Sequence, residues 1–237
     1  RKISSCYRFS YEFSPKYAEE PIHIEFSFDI NSAFQQRVFA IIGENGVGKT
    51  QLITALPLDL AKRRENLFAP QVPLYSKVIA VSTSLYDSFD VPKNSVGFNY
   101  VYCGLACGKK DNKTILAPKE LKLKLLQTIK TINGRERAES LKNILSPLYS
   151  ADIISALFTI QEEKIKVNQA RLVEIVDYMS SGESSLLFIF CNIVANIRYD
   201  SLILFDEPET HLHPNAITSL MSSIYQLLDE YQSYAII

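Results

Sequence analysis

The chain has 237 residues, of which 47% are hydrophobic and 22% charged, and its formal net charge is −1. This balance is that of a folded globular chain, and it excludes wholesale disorder. The near-zero net charge also excludes a polycation, so any contact with nucleic acid must come from a local patch or from a partner. The length suffices for one large domain or for one domain with an insertion.

The four cysteines indicate neither a disulfide framework nor a zinc site, because no second Cys or His pair accompanies Cys103 and Cys107. We expect reduced thiols at Cys6, Cys103, Cys107 and Cys191. No segment reaches the length of about eighteen apolar residues that spans a membrane, and no signal peptide opens the chain. The sequence therefore predicts a cytoplasmic protein without a membrane partner.

The N-terminal residues predict an antiparallel β-sheet. Apolar and polar residues alternate from Ile22 to Ile30, which is typical of a strand with one buried face and one wet face. A less regular segment of the same kind runs from Cys6 to Phe13. His23 falls on the polar face, and we assign it no special role.

Continuous apolar runs predict a second sheet. They lie at 38–42, 78–81 and 202–205, and a fourth begins at Ala235. Runs of this kind, separated by helices, are typical of parallel strands that are covered on both faces. The predicted fold class is therefore α/β. Because the chain begins at Arg1 without Met and stops inside the fourth run, we expect a fragment.

Residues 43–50 match the phosphate-loop pattern G-x-x-x-x-G-K-[ST], between a predicted strand and a helix predicted from Lys49 to Leu56, where Pro57 disturbs it. Glycines let backbone N–H groups curl around a phosphate, and the helix start adds the positive end of its dipole. Lys49 is predicted to reach the β- and γ-phosphates of ATP, and the Thr50 hydroxyl to bind Mg²⁺. The predicted nucleotide contacts are Gly43, Glu44, Asn45, Gly46, Val47, Gly48, Lys49, Thr50 and Gln51.

Residues 90–176 predict an inserted α-helical lobe between a first part of the core, 1–89, and a second part, 177–237. Helices are expected near 118–132, 136–145 and 162–178. Lysines at the start of the lobe offer a nucleic-acid patch or, as the simpler alternative, a solvated face. They are Lys109, Lys110, Lys113, Lys119, Lys122 and Lys124, and the same alternatives hold for the cluster Lys62, Arg63 and Arg64.

A Ser/Gly-rich turn, Met179 to Ser184, precedes a long apolar helix predicted from Ser185 to Ile197. Hydroxyl and N–H groups at such a turn can bind an anion, although an ordinary helix cap has the same composition. The predicted nucleotide contacts in this turn are Ser180, Ser181, Gly182 and Glu183.

The strand that begins at Ser201 ends in two acidic residues. We predict that Asp206 binds Mg²⁺ and that Glu207 is the catalytic base, which polarises the water that attacks the γ-phosphate. The alternative is that both acids merely cap the strand end. A glutamate directly after the aspartate predicts hydrolysis that needs no external activator.

The order of phosphate loop, Ser/Gly turn and acidic strand resembles that of ABC-type ATPases. The string M-S-S-G-E at 179–183 is similar to their LSGGQ signature, with Ser181 at the first glycine and Glu183 at the glutamine, a glutamate also typical of the SMC branch. The resemblance implies an ATP-dependent head-to-tail pair, in which the signature of one copy covers the nucleotide bound to the other.

The string D-E-P-E-T-H-L-H-P at 206–214 resembles the non-transporter ABC ATPases of the RecF, OLD and AAA-like group. We interpret His211 and His213 as part of a dimer-contact loop, because a metal pair lacks a third ligand nearby. Residues 78–89 and 102–105 resemble the Septu-type PtuA ATPases of anti-phage systems, including those encoded with retrons. That resemblance implies a defence role with an HNH nuclease as partner, and nucleic acid as a further partner stays open.

Two other functions remain as alternatives. A RecF- or SMC-like DNA-repair ATPase is one, although no sustained heptad run occurs; the ATP-binding subunit of a transporter is the other, although the H-L-H-P string and the early sheet argue against it. The ABC resemblance places the Q-loop at 82–84, where no glutamine stands. It also implies a switch histidine beyond Ile237, and a downstream nuclease domain as in OLD proteins stays open.

Overall fold

The computed structural model describes residues 8–16, 20–30, 36–44, 47–82, 99–107, 114–115, 117–208 and 214–237. The strands of these ranges are β1 (Arg8–Phe13), β2 (Ile22–Ser27), β3 (Val38–Phe39), β4 (Phe68–Ala69), β5 (Lys77–Ser82), β6 (Tyr100–Gly104), β7 (Ala106–Cys107), β8 (Thr114–Ile115), β9 (Phe158–Gln161), β10 (Lys164–Val167), β11 (Ser201–Asp206) and β12 (Tyr234–Ile236). The helices are α1 (Lys49–Ala61), α2 (Pro118–Gly134), α3 (Ala138–Leu145), α4 (Ala151–Leu157), α5 (Gln169–Tyr178), α6 (Ser181–Asn196) and α7 (Pro214–Glu230).

A five-stranded parallel sheet forms the centre of the molecule, in the order β3-β12-β11-β5-β6. The four apolar runs of the sequence supply β3, β5, β11 and β12, so the predicted α/β class is confirmed. In the register, Asp206 at the end of β11 lies opposite Ser82 at the end of β5. The carboxyl ends of all these strands therefore share one edge of the sheet.

Both faces of the parallel sheet are covered, as continuous apolar strands require. Alternate residues such as Ala80 and Leu204 pack against α1 and the aromatic residues of the N-terminal sheet. The intervening residues, such as Ile79 and Ile203, pack against the helices on the other side, which include α2, α3, α6 and α7. The helix that follows the phosphate loop and the helix that follows the Ser/Gly turn thus lie on opposite faces.

The N-terminal strands form the predicted antiparallel sheet, in the order β2-β1-β4. Its buried face is aromatic: the rings of Phe9 and Phe26 stack with centroids 4.9 Å apart. The Tyr11 hydroxyl donates a 2.7 Å hydrogen bond to Asp59 of α1, which ties this sheet to the helix. His23 is exposed at the other face, 3.7 Å from Glu12.

Helix α1 is longer than predicted, because it passes through Pro57 and ends at Ala61. Proline removes one helical hydrogen bond and usually ends or kinks a helix. Here Leu56, Pro57 and Leu60 are all buried, so packing on two sides outweighs the lost bond.

The helix predicted at 162–178 is wrong in its first part. β9 and β10 form a hairpin whose turn residues, Glu162 and Glu163, have φ of 51° and 63°. The helix α5 begins only at Gln169, where the Asn168 side chain accepts a hydrogen bond from the Arg171 N–H. The short helix α4 was not predicted at all.

Strand β6 was also not predicted, and it adds a fifth parallel strand beside β5. It falls inside the range 90–176 that the sequence assigns to the helical lobe, and the boundaries of that lobe stay a prediction. None of the helices within the described ranges has the length and apolar composition of a membrane span. Cys103 and Cys191 are buried free thiols, and burial raises the pKa of the Cys103 thiol to about 12.

Candidate nucleotide site

The phosphate loop joins β3 to α1 at the carboxyl edge of the parallel sheet. Gly48 precedes the first helical residue with φ of 99°, a conformation that side chains with a Cβ rarely adopt. A Cβ on Gly43 would lie 3.2 Å from the Cγ2 of Val47, so the loop is tight at its start as well. Asn45 and Gly46, two of the predicted contacts, lie outside the described residues.

The Lys49 ammonium is held over this loop. It donates a hydrogen bond to the carbonyl oxygen of Gly43 and a second one, 3.0 Å long, to that of Glu44. Both acceptors are neutral backbone oxygens, and the group is accessible to solvent. A phosphate oxygen is a stronger partner for an ammonium than a neutral carbonyl, so the loop keeps a cation ready for an anionic ligand.

Thr50 and Asp206 meet across the sheet edge. The Thr50 hydroxyl, in the first turn of α1, donates a 3.2 Å hydrogen bond to the Asp206 Oδ1 at the end of β11. Thr54 supports this turn, since its hydroxyl donates to the Thr50 carbonyl at 2.7 Å. The Asp206 residue is only 6% exposed, which places a carboxylate and a hydroxyl together in a sheltered position.

This pair of oxygen donors fits Mg²⁺, which prefers one or two protein oxygens and completes its shell with phosphate and water. Among the described residues, no group of three or more His, Cys, Asp and Glu side chains could hold a metal by itself. A site for an ion that arrives with a nucleotide is therefore a better fit than a closed protein cage. His211 and His213 lie outside the described residues.

Glu207 follows Asp206 in a left-handed backbone conformation, with φ of 45°. It is exposed, whereas Pro208 directly after it is buried. A non-glycine residue with such a φ is uncommon and is often found at functional sites. Its predicted role as catalytic base stays a prediction, and its position beside Asp206 is compatible with it.

Ser180 caps the N-terminus of α6 in a capping box with Glu183. The Ser180 hydroxyl accepts a 3.3 Å hydrogen bond from the Glu183 N–H, and the Glu183 carboxylate accepts a 2.9 Å bond from the Ser180 N–H. A bond from the Ser180 hydroxyl and the bond from its N–H together lower the pKa of the Glu183 carboxyl. Ser181 and Gly182 are exposed in the first turn. The ordinary helix cap is thus present, and the turn still offers open N–H groups.

Gln51 has a partner that the sequence did not predict. Its Oε1 accepts a 3.1 Å hydrogen bond from the Lys16 N–H, just after β1. A Cβ on Gly48 would also lie 3.8 Å from the Pro15 Cβ, so the segment after β1 borders the phosphate loop. No sequence pattern links Lys16 to Gln51, because the contact depends on how the antiparallel sheet docks on α1.

A protein-family model described as "AAA domain, putative AbiEii toxin, Type IV TA system" matches residues 57–237. The match includes the Ser/Gly turn and the acidic strand, whereas the phosphate loop precedes it. Protein ea59 of Escherichia phage lambda is 26% identical over 266 aligned residues, which cover 97% of this chain and 50% of that protein. The chain thus spans about half the length of this curated relative.

Two solved structures resemble the chain at low identity. One is described as "An inward-facing conformation of a putative metal-chelate type ABC transporter", with 15% identity and a TM-score of 0.44, covering 98% of this chain and 73% of that one. The other is a bacterial Atm1-family ABC exporter with ATP bound, with 17% identity and a TM-score of 0.41, covering 98% and 34%.

Proposed function

The chain belongs to the AAA-domain family whose model it matches, and we propose on this premise that it binds and hydrolyses ATP with Mg²⁺. The observation that carries the proposal is the 3.2 Å hydrogen bond between the Thr50 hydroxyl and Asp206. This bond brings together the phosphate loop and the acidic strand end, the two motifs that phosphoryl transfer needs side by side. The two bonded residues are 156 positions apart in the sequence.

Each polar residue of the site has a task in this proposal. Lys49 exchanges its carbonyl partners for the β- and γ-phosphate oxygens, and the backbone N–H groups of the loop bind the same phosphates. Thr50 and Asp206 are the residues that would hold Mg²⁺, which when bound neutralises the charge on the phosphates. Glu207 accepts a hydrogen bond from the attacking water and orients it toward the γ-phosphate.

We further propose that two copies pair head to tail around ATP. Within one copy, α1 and α6 pack on opposite faces of the parallel sheet. This separation favours a partner copy as the source of the Ser180–Glu183 turn over each nucleotide. Slow turnover is compatible with the proposal, since a switch uses ATP chiefly to change its shape.

The most specific part of the proposal concerns the biological role. The resemblance to Septu-type ATPases favours anti-phage defence, in which the ATP state of the pair regulates an HNH-type nuclease. A RecF- or SMC-like repair ATPase is the second candidate, favoured by the D-E-P-E-T-H-L-H-P string alone.

The test measures the mass of the full-length protein by light scattering with ATP and Mg²⁺, alone and with the product of each neighbouring gene. Glu207→Gln should form the ATP-dependent pair more persistently than the wild type, and Lys49→Ala should not form it. Co-elution of an HNH nuclease supports the defence role, and co-elution of a recombination protein supports repair. A mass that ignores ATP in every variant would sink the switch proposal.

A further inference from the structure

The exposed side of α2 carries positive charge that the proposed ATPase does not use. Residues 118–134, which form α2, contain four lysines and one acidic residue, which leaves a net charge of +3 in a chain whose net charge is −1. We propose that this side of α2 binds the phosphate backbone of a nucleic acid. Binding of this kind depends on charge and exposure, and it does not require the proposed ATPase to be active.

Three lysines occupy the exposed side of the helix: Lys119, Lys124 and Lys130. At about 100° per residue, Lys119 and Lys130 lie nearly in line, about 16 Å apart along the axis. Lys124 lies at the other border of the exposed side, and Leu123, which is 62% exposed, lies between the two borders. The ammonium groups at these two borders can therefore contact phosphates on either side of the helix.

These ammonium groups are not neutralised by neighbouring acids. Within the described part of the chain, no hydrogen bond or ion pair engages any of the three, whereas Lys122 pairs with Asp177 of the adjacent α5. The other acid on that part of α5, Glu174, pairs with Arg171. Glu120 accepts a hydrogen bond from the backbone at the start of α2. The positive charge is therefore open to an external anion.

The burial of the apolar side of α2 argues against an anionic membrane surface as the ligand. A helix that lies on a membrane inserts its apolar face between the lipids. In α2 that face is already buried, at 0 to 2% exposure, and α2 packs against α6 with Leu125, Ile129 and Ile132. Among the described residues of α2, Leu123 is the one large apolar side chain that is exposed.

The composition of α2 also indicates how the nucleic acid is bound. Residues 118–134 contain no aromatic side chain, so base stacking on this helix is excluded. Lysine is a point charge that contacts phosphates and carries no sequence information by itself. We therefore expect binding that is independent of sequence and strongly dependent on salt.

The experiment measures fluorescence anisotropy of labelled probes with the full-length protein without ATP, at salt concentrations from about 50 to 200 mM. The probes are duplex DNA, duplex RNA of the same sequence and single-stranded DNA. Lys119→Gln/Lys124→Gln/Lys130→Gln is compared with the wild type. A control variant, Arg8→Gln/Lys142→Gln/Arg198→Gln, removes the same charge from other elements.

The triple variant of α2 should bind duplex DNA at least tenfold more weakly, with a salt slope lower by about 2.7, since each lost phosphate contact contributes about 0.9. The control variant should keep the wild-type slope. The RNA and single-strand probes show which nucleic acid binds best. Lys49→Ala should bind the duplex like the wild type, which separates this proposal from that for the ATPase.

Three results would overturn the proposal. One is a wild-type protein that binds none of the probes; another is an equal loss of slope in the two triple variants. The third is equal affinity for polyglutamate or for vesicles with phosphatidylserine, because it would assign the surface to acidic proteins or to membranes. Far-ultraviolet circular dichroism and the ATPase rate report whether the triple variant of α2 is folded.

Discussion

The backbone of Glu207 is held in a conformation that costs about 1 to 3 kcal/mol for a residue other than glycine. Its φ is 45°, between the buried residues Asp206 and Pro208. The chain could relieve this strain with glycine at the same position. Six other described residues besides glycine share a positive φ, Glu163 among them, so it is the position directly after Asp206 that favours a role for the Glu207 side chain.

Glu207→Gln should therefore lower ATP hydrolysis by at least about a hundredfold, because the amide keeps the size of the side chain but accepts no proton. ATP affinity should change little, since Glu207 is not among the phosphate ligands proposed. Steady-state phosphate release and binding of a fluorescent ATP analogue measure the two effects. Glu163→Gln is the matched control, with φ of 63° in the β9–β10 turn, and should leave hydrolysis unchanged. Near-normal turnover in Glu207→Gln would assign the base elsewhere.

Substitutions at two glycines can distinguish a role of the Ser/Gly turn in ATP hydrolysis from a role in folding. An added Cβ meets nothing within 4 Å at Gly182 in the first turn of α6, and nothing at Gly134 at the end of α2. Gly182→Ala and Gly134→Ala should both leave the free energy of unfolding unchanged or raise it by up to about 1 kcal/mol, with a melting temperature that is equal or slightly higher. Only Gly182→Ala should lower ATP hydrolysis, by about tenfold, if a partner's nucleotide packs on this turn. Equal ATPase rates in both variants would contradict that packing.

Two arginines in the connection between α2 and α3 cap the C-terminus of α6. The guanidinium of Arg137 donates hydrogen bonds to the carbonyls of Val194 (2.6 Å) and Ile197 (2.9 Å), and it lies 5.5 Å from the ring centre of Tyr231. Arg135 donates to the Ala195 carbonyl at 2.6 Å. Val194 and Ala195 lie in the last turn of α6, where carbonyls lack a partner within the helix, and Ile197 directly follows that helix. Positive charge is favourable at a helix C-terminus.

Arg137→Ala should lower the free energy of unfolding by about 1.5 to 3 kcal/mol, the usual contribution of hydrogen bonds to a charged group. Urea denaturation monitored by circular dichroism measures this loss. Arg171→Ala is the control, because its exposed pair with Glu174 contributes about 0.5 kcal/mol or less. Equal destabilisation in the two variants would contradict the special position of Arg137.

The elements differ in how well the sequence predicts them. β5 and β11 are continuous apolar runs between helices, and β2 alternates, so their patterns identify them directly. The β9–β10 hairpin turns at Glu162 and Glu163, which take positive φ without the glycine or asparagine that usually marks such a turn. The length of α1 beyond Pro57 depends on burial between two sheets, which no local pattern contains.

For the molecule as a whole, the sequence offers candidate residues for the proposed site but not the partners of these residues in the fold. The phosphate-loop pattern and the acidic strand end suffice to predict Thr50 and Asp206, and strand order then brings them within 3.2 Å. The Lys16–Gln51 contact and the two arginines at the end of α6 join distant segments, so they follow only from the packing of sheets and helices. The proposed pair differs from these contacts, since the resemblance of the string at 179–183 implies it and no contact within one chain tests it.

A mixture of two defective variants tests the head-to-tail pair. Lys49→Ala removes the cation of the phosphate loop and leaves the Ser/Gly turn intact. Gly182→Trp places a bulky side chain in the Ser/Gly turn and leaves the phosphate loop intact. Each variant alone should be inactive. A head-to-tail pair of one copy of each contains one site with two intact halves. An equal mixture should therefore regain about a quarter of the wild-type ATPase rate if all copies pair at random, and about half if only mixed pairs form. If each site were complete within one copy, the mixture would stay as inactive as its parts.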